Sequence, residues 1–140
     1  MFESTIAKAA LLAAFLPIIG GQSGNAAIQT VTIIVRSIAL GEISSKNSSR
    51  VLLKELLLGL AHGISIALIT FLGAYVWSNN LLLSAVLGVS MVISIICSGA
   101  VGVLIPITLK RMGADPALSA GIFATALTDV FGFFLLLGLA

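Results

Sequence analysis

Apolar positions along the chain fall in long blocks separated by short polar segments, and this block pattern predicts helices that cross a membrane. Residues 5–41 are nearly all apolar or small, apart from the run GGQSGN at 20–25. As one straight helix they would reach about 55 Å at 1.5 Å per residue. A hydrocarbon core is only about 30 Å thick. Pro17, Gly20, Gly21 and Gly24 therefore predict a break. Either one long helix is interrupted inside the membrane or two short spans follow each other. The junction carries no charge to hold it among headgroups, which favours the broken helix. Residues 42–55 (EISSKNSSRVLLKE) read as a polar loop holding Lys46, Arg50 and Lys54. Residues 56–77 form a span ending at Tyr75 and Trp77, residues suited to an aromatic belt. Ser78, Asn79 and Asn80 make a tight uncharged turn, and residues 81–109 form the next span, with Pro106 near its end. In the short loop KRMGAD at 110–115, Gly113 stops one helix, and Pro116 opens the last one.

Composition agrees with this pattern. The chain has 140 residues, of which 59% are hydrophobic and 9% charged. A soluble domain carries about 25% charged residues. So little polar surface cannot coat a soluble globule, and the expected fold is an all-α polytopic transmembrane helix bundle. It has four spans, the first long and broken, in one domain over residues 1–140. The net charge of +2 comes from few groups and gives no surface for nucleic acid. Cys97 is the single cysteine, so no disulfide forms within one chain. The N-terminus does not read as a signal peptide, since Glu3 precedes Lys8 and no small-residue cleavage site is followed by a soluble domain. Lys and Arg cluster at 46–54 and 110–111, which by the positive-inside rule places loops 42–55 and 110–115 in the cytoplasm. The Asn79–Asn80 turn and the C-terminus then lie outside, in a multi-pass protein of the inner (plasma) membrane. If residues 5–41 are one span, the N-terminus is outside as well, which calls for a further span upstream.

Two polar clusters stand out inside the apolar blocks. Asp129 is the only charge in the stretch 116–140. A carboxylate at bilayer depth costs roughly 2.5–3.5 kcal/mol on insertion scales, and the cheapest use for it is to face an aqueous path and attract a cation. Thr125 and Asp129 share a helix face, Thr128 adjoins them, and Gly121 and Gly132 lie on or near that face, leaving room for water. The second cluster is Gly20 to Asn25 with Gln29, Thr30 and Thr32. Glycines there permit a backbone with freed carbonyls, and Asn25 and Gln29 are four residues apart. Oxygen donors of this kind suit a hard, hydrated cation such as Mg2+. Three other readings stay open: a kink whose amides bond between helices, a structural carboxylate bonded to a hydroxyl, and a proton relay. His62 reads as a hydrogen-bonded packing group, Arg36 as a snorkelling residue, and Lys54 and Glu55 as the start of a helix. No Ser-His-Asp set, phosphate loop or zinc spacing is present, so the chain is not read as an enzyme. Small residues at Gly59 and Gly63, and at Ser98, Gly99 and Gly102, predict close helix contacts.

Three segments together resemble the MgtE family of magnesium channels and transporters: FLPIIGGQSGNAAIQTVTIIVRSIALGEI at 15–43, AVGVLIPITLKRMGADPA at 100–117 and FATALTDVFGFFLLLGLA at 123–140. The resemblance implies a homodimer with a Mg2+ pore at its axis, lined by residues 5–41 and 117–139. Asp129 matches the family's pore aspartate, which from two subunits holds a hydrated Mg2+. Gly24, Asn25, Gln29, Thr32 and Arg36 match the glycine-asparagine motif and the positions after it. By the same resemblance, the family's first helix and its cytoplasmic sensor and CBS domains are missing here. The chain departs from the pattern at Ala27 and Ile28, where the family repeats Gly-Asn, and at Gly121, where some members carry a polar residue. The expected function is Mg2+ passage down its electrochemical gradient. The competing readings are a carrier coupling Mg2+ to Na+ or H+, and a non-transporting membrane scaffold.

Overall fold

The computed structural model describes residues 3–43 and 47–139. Among them it contains four helices: α1 (Glu3–Ala39), α2 (Ser48–Ser78), α3 (Leu81–Arg111) and α4 (Pro116–Leu139). Three of these, α2, α3 and α4, are long and apolar enough to cross a membrane. The fold is the all-α bundle that the block pattern predicts.

The break expected between Pro17 and Gly24 is absent. α1 runs as one α-helix of 37 residues with Pro17 inside it. Proline removes one hydrogen bond and each glycine costs about 1 kcal/mol against alanine in a helix interior. Side packing offsets this: Phe15, Ile19, Ala27, Val31 and Ile34 are buried along α1, on both sides of the glycines. Gly20 and Gly24 therefore serve contact with α4 instead of releasing backbone groups.

α3 is the central helix and meets all three others, while α1 lies across α3 and α4, and α2 and α4 do not meet among the described residues. α2 and α3 form a close antiparallel pair. A Cβ at Gly63 would stand 3.2 Å from the Val92 carbonyl oxygen, and one at Gly59 3.3 Å from Ile96 Cα. The small-residue spacing thus does what it predicts. α1 and α3 approach most closely at Gly102, where a Cβ would fall 2.6 Å from Thr30 Cβ.

The turns follow from their residues. Asn79, at φ 49°, takes the left-handed conformation that ends α2, and its N–H donates to the Tyr75 carbonyl. Asn80 caps α3 by accepting from the Leu83 N–H at 3.1 Å. Gly113 (φ 78°) ends α3, and Pro116 is the first residue of α4 as expected. Two boundaries differ from expectation. α2 starts at Ser48, so Arg50, Lys54 and Glu55 are helical and not in a loop. Lys110 and Arg111 occupy the last turn of α3. Lys46 lies outside the described residues.

Candidate functional site

α4 brings Asp129 to a cleft shared with α1. The cleft holds ≈ 310 Å³ and is walled by Gly20, Gly24 and Asn25 of α1 and by Thr125, Asp129 and Phe133 of α4, among others. The spacing explains the meeting. Thr125, Asp129 and Phe133 are each four residues apart, as are Gly20 and Gly24, so each helix presents one face. Cβ atoms built on the two glycines would stand 3.3 Å (Gly20) and 3.7 Å (Gly24) from Asp129 Oδ1. Bare backbone is what leaves the carboxylate its space.

The Asp129 carboxylate is half-buried and is not tied up by neighbouring hydroxyls. Thr125 Oγ1 donates to the Gly121 carbonyl at 2.9 Å. Thr128 Oγ1 donates to the Ala124 and Thr125 carbonyls. Both hydroxyl protons are used within α4, so the structural pairing of carboxylate and hydroxyl is not what the geometry shows.

The residues singled out by sequence separate into groups. Gly24, Asn25, Thr125 and Asp129 come together in the cleft. Gln29 lines a different cavity, between α1, α2 and α3. Thr128 is buried in the bundle, and Gly132 is buried against Ile19, where a Cβ would come to 3.4 Å of the Ile19 side chain. Gly121 lies on the same face one turn before Thr125, with nothing within 4 Å of a Cβ there. Sequence reasoning missed Gly20 and Phe133 as cleft walls, although the four-residue spacing from Gly24 and Asp129 carries both. It also missed that Glu55 is buried and accepts a hydrogen bond from Thr30 at 3.2 Å, because the position reads as a helix start at the edge of a polar loop. His62 is exposed at the wall of the same cavity and not a packed core group.

From the cleft onward, α1 presents an exposed polar stripe. Asn25, Gln29, Thr32 and Arg36 follow at spacings of four, three and four and all are exposed. Apolar Ile28 stands among them on the cleft wall, and Ala27 is buried in the contact with α4.

The comparison with known proteins is decided by one match: the model of the MgtE family, described as a divalent cation transporter, covers residues 16–139. The chain belongs to the MgtE family. Relatives named magnesium transporter MgtE include one from Enterococcus faecalis, 36% identical over 92% of this chain, and one from Thermus thermophilus, 34% identical over 99%. A third, from Bacillus subtilis, is 27% identical over 99% of the chain. The chain spans only 28% to 31% of the length of these relatives. The MgtE match extends over both walls of the cleft, from Pro17 on α1 to Phe133 on α4. Magnesium is the ion in the names of all three MgtE relatives, and the family is one of transporters.

Proposed function

We propose that this MgtE-family chain is a single membrane domain, residues 1–140, that conducts Mg2+ between two copies of itself. One observation carries the reading. A half-buried carboxylate, Asp129, opens beside an exposed polar stripe on α1 that has no counterpart in lipid. Polar groups at membrane depth cost several kcal/mol each when left unsatisfied. Asn25 and Gln29 facing acyl chains would be unstable, whereas facing water or a second copy they are satisfied.

In the dimer, the two Asp129 side chains face a common axis and repel each other when no ion is present. A divalent ion between them removes that repulsion, which favours Mg2+ over monovalent ions. The ion keeps its water, since Mg2+ dehydrates reluctantly. Gly24 and Gly121 keep the path wide, and Asn25 and Thr125 supply further oxygens along it. Inward flow is driven by the membrane potential of the inner membrane, about 2.3 kcal/mol per charge per 100 mV. The end of the bundle that carries Arg50, Lys54, Lys110 and Arg111 faces the cytoplasm and the C-terminus faces outward. The longer relatives carry the remaining segments, among which we place a preceding helix and a cytoplasmic regulatory region.

Growth rescue of a Mg2+-requiring strain tests this reading. The chain, alone or with a preceding helix from a relative, restores growth, and its Asp129→Ala variant inserts into the membrane but does not. Rescue by Asp129→Ala at wild-type level would refute the role given to this carboxylate.

A further inference from the structure

The second polar cavity lies between α1, α2 and α3 and holds ≈ 250 Å³. Its wall includes Gln29 and Thr30 of α1, Glu55, Gly59 and His62 of α2, and Gly99 of α3. Glu55 is 9% exposed, an acid sunk into a helix that can cross a membrane. It lies seven residues into α2, about 10 Å from the start of that helix. Asp129 lies thirteen residues into α4, about 20 Å from the same end of the bundle. The two carboxylates therefore occupy different depths, and α1 passes between their cavities.

Glu55 is under-satisfied by protein. An ionised carboxylate offers about four acceptor positions. Thr30 Oγ1 fills one, at 3.2 Å, and among the described residues no Lys or Arg lines the cavity. Among the described residues, His62 is the only other titratable group on its wall. It stands two helical turns along α2, about 10 Å away in rise, and is exposed. A buried carboxylate without a counter-charge is costly, and a bound cation removes that cost. The donor set is oxygen: both Glu55 oxygens, the Thr30 hydroxyl and the Gln29 amide. Oxygen ligands select hard cations. The charge selects the valence. One carboxylate neutralises one positive charge, and a divalent ion would leave a net charge among Ala26, Ile33, Leu58 and Ile95. The cavity has room for several waters at about 30 Å³ each to complete the coordination.

We propose that Glu55, Thr30 and Gln29 form a second cation site, separate from the Asp129 cleft, that takes one hard monovalent metal ion of the Na+ class. The proposal rests on the reading of this chain as a membrane-embedded transport unit, but its test does not require transport. Radiolabelled Na+ is titrated onto the purified full chain in detergent, with choline as the replacing cation. Wild type and Asp129→Asn bind Na+ saturably with similar affinity. Glu55→Gln, which keeps the shape and loses the charge, weakens binding roughly tenfold or more. Glu55→Asp restores part of it. The absence of saturable Na+ binding by wild type overturns the site and leaves the Asp129 pathway standing. Glu55→Gln binding as wild type, or Asp129→Asn abolishing binding, overturns it also. If Glu55→Gln does not fold, Gln29→Leu takes its place, because Gln29 is exposed and its loss leaves no hole. Undiminished Na+ binding by that variant then overturns the assignment.

Discussion

A methyl group on Gly20 would stand 3.3 Å from Oδ1 of Asp129 and 3.1 Å from Phe133 Cε1. Those separations are closer than ordinary van der Waals contact, so Gly20→Ala pushes the carboxylate or the Phe133 ring aside. Alanine also favours the helix by about 1 kcal/mol over glycine. The variant therefore keeps or raises its thermal midpoint while Mg2+ uptake into cells falls severalfold. Gly24→Ala meets Thr125 Cγ2 at 3.5 Å and Asp129 Oδ1 at 3.7 Å, which is ordinary contact, so its effect on uptake is smaller. Equal uptake by wild type and Gly20→Ala would show that ions do not use this cleft.

Gly102 gives a prediction about stability alone. Its Cβ position lies 2.6 Å from Thr30 Cβ and 3.0 Å from the Ala27 carbonyl oxygen. Thr30 also donates to Glu55. Gly102→Ala therefore forces α1 away from α3 and strains the hydrogen bond to Glu55. Overpacking of this kind costs about 1–3 kcal/mol. The thermal midpoint of the detergent-solubilised protein measures it, and an unchanged midpoint would mean that the two helices are not held this closely.

Much of the fold is legible in the sequence because a bilayer leaves few choices. Block length and the turn chemistry of Asn79, Gly113 and Pro116 place three helix boundaries near their observed positions. The continuity of α1 is not legible, because Pro17, Gly20, Gly21 and Gly24 carry a local signal for a break. Burial of Ile19 and Ala27 against other helices overrides that signal, and this burial is a tertiary fact. Asp129 is legible as a candidate because a lone acid in an apolar block has a known cost. Glu55 is not, because Lys54 beside it and the polar run before it disguise the start of α2. Which of Thr125 and Thr128 reaches the cleft depends on helix rotation, and spacing leaves that free.

The exposed stripe on α1 leads to a prediction about assembly. If Asn25 lies near the axis between two copies, a cysteine there reacts with its equivalent. The background should be Cys97→Ser, which removes the chain's own thiol. In membranes, Asn25→Cys treated with a short bismaleimide yields a species of twice the chain mass, and a cysteine at exposed Leu68 of α2 does not. Cross-linking at Leu68 but not at Asn25 would move the interface to the other side of the bundle.

The size of the cleft bears on whether Mg2+ passes with its water. Six waters at about 30 Å³ each come to roughly 180 Å³, and one cleft alone holds ≈ 310 Å³. The cleft therefore has volume enough for a hydrated ion, and on the proposed reading recognition runs from carboxylate oxygen to water hydrogen. A hexaammine cobalt(III) ion has similar size, carries N–H donors and does not exchange its ligands. It should compete with Mg2+ for wild type, lowering uptake in proportion to its concentration. Asp129→Glu, which keeps the charge but advances it by one methylene, should retain weaker inhibition, and its residual Mg2+ uptake should fall. A failure of the cobalt complex to inhibit wild type, with Mg2+ uptake intact, would mean that Mg2+ sheds water and binds Asp129 directly.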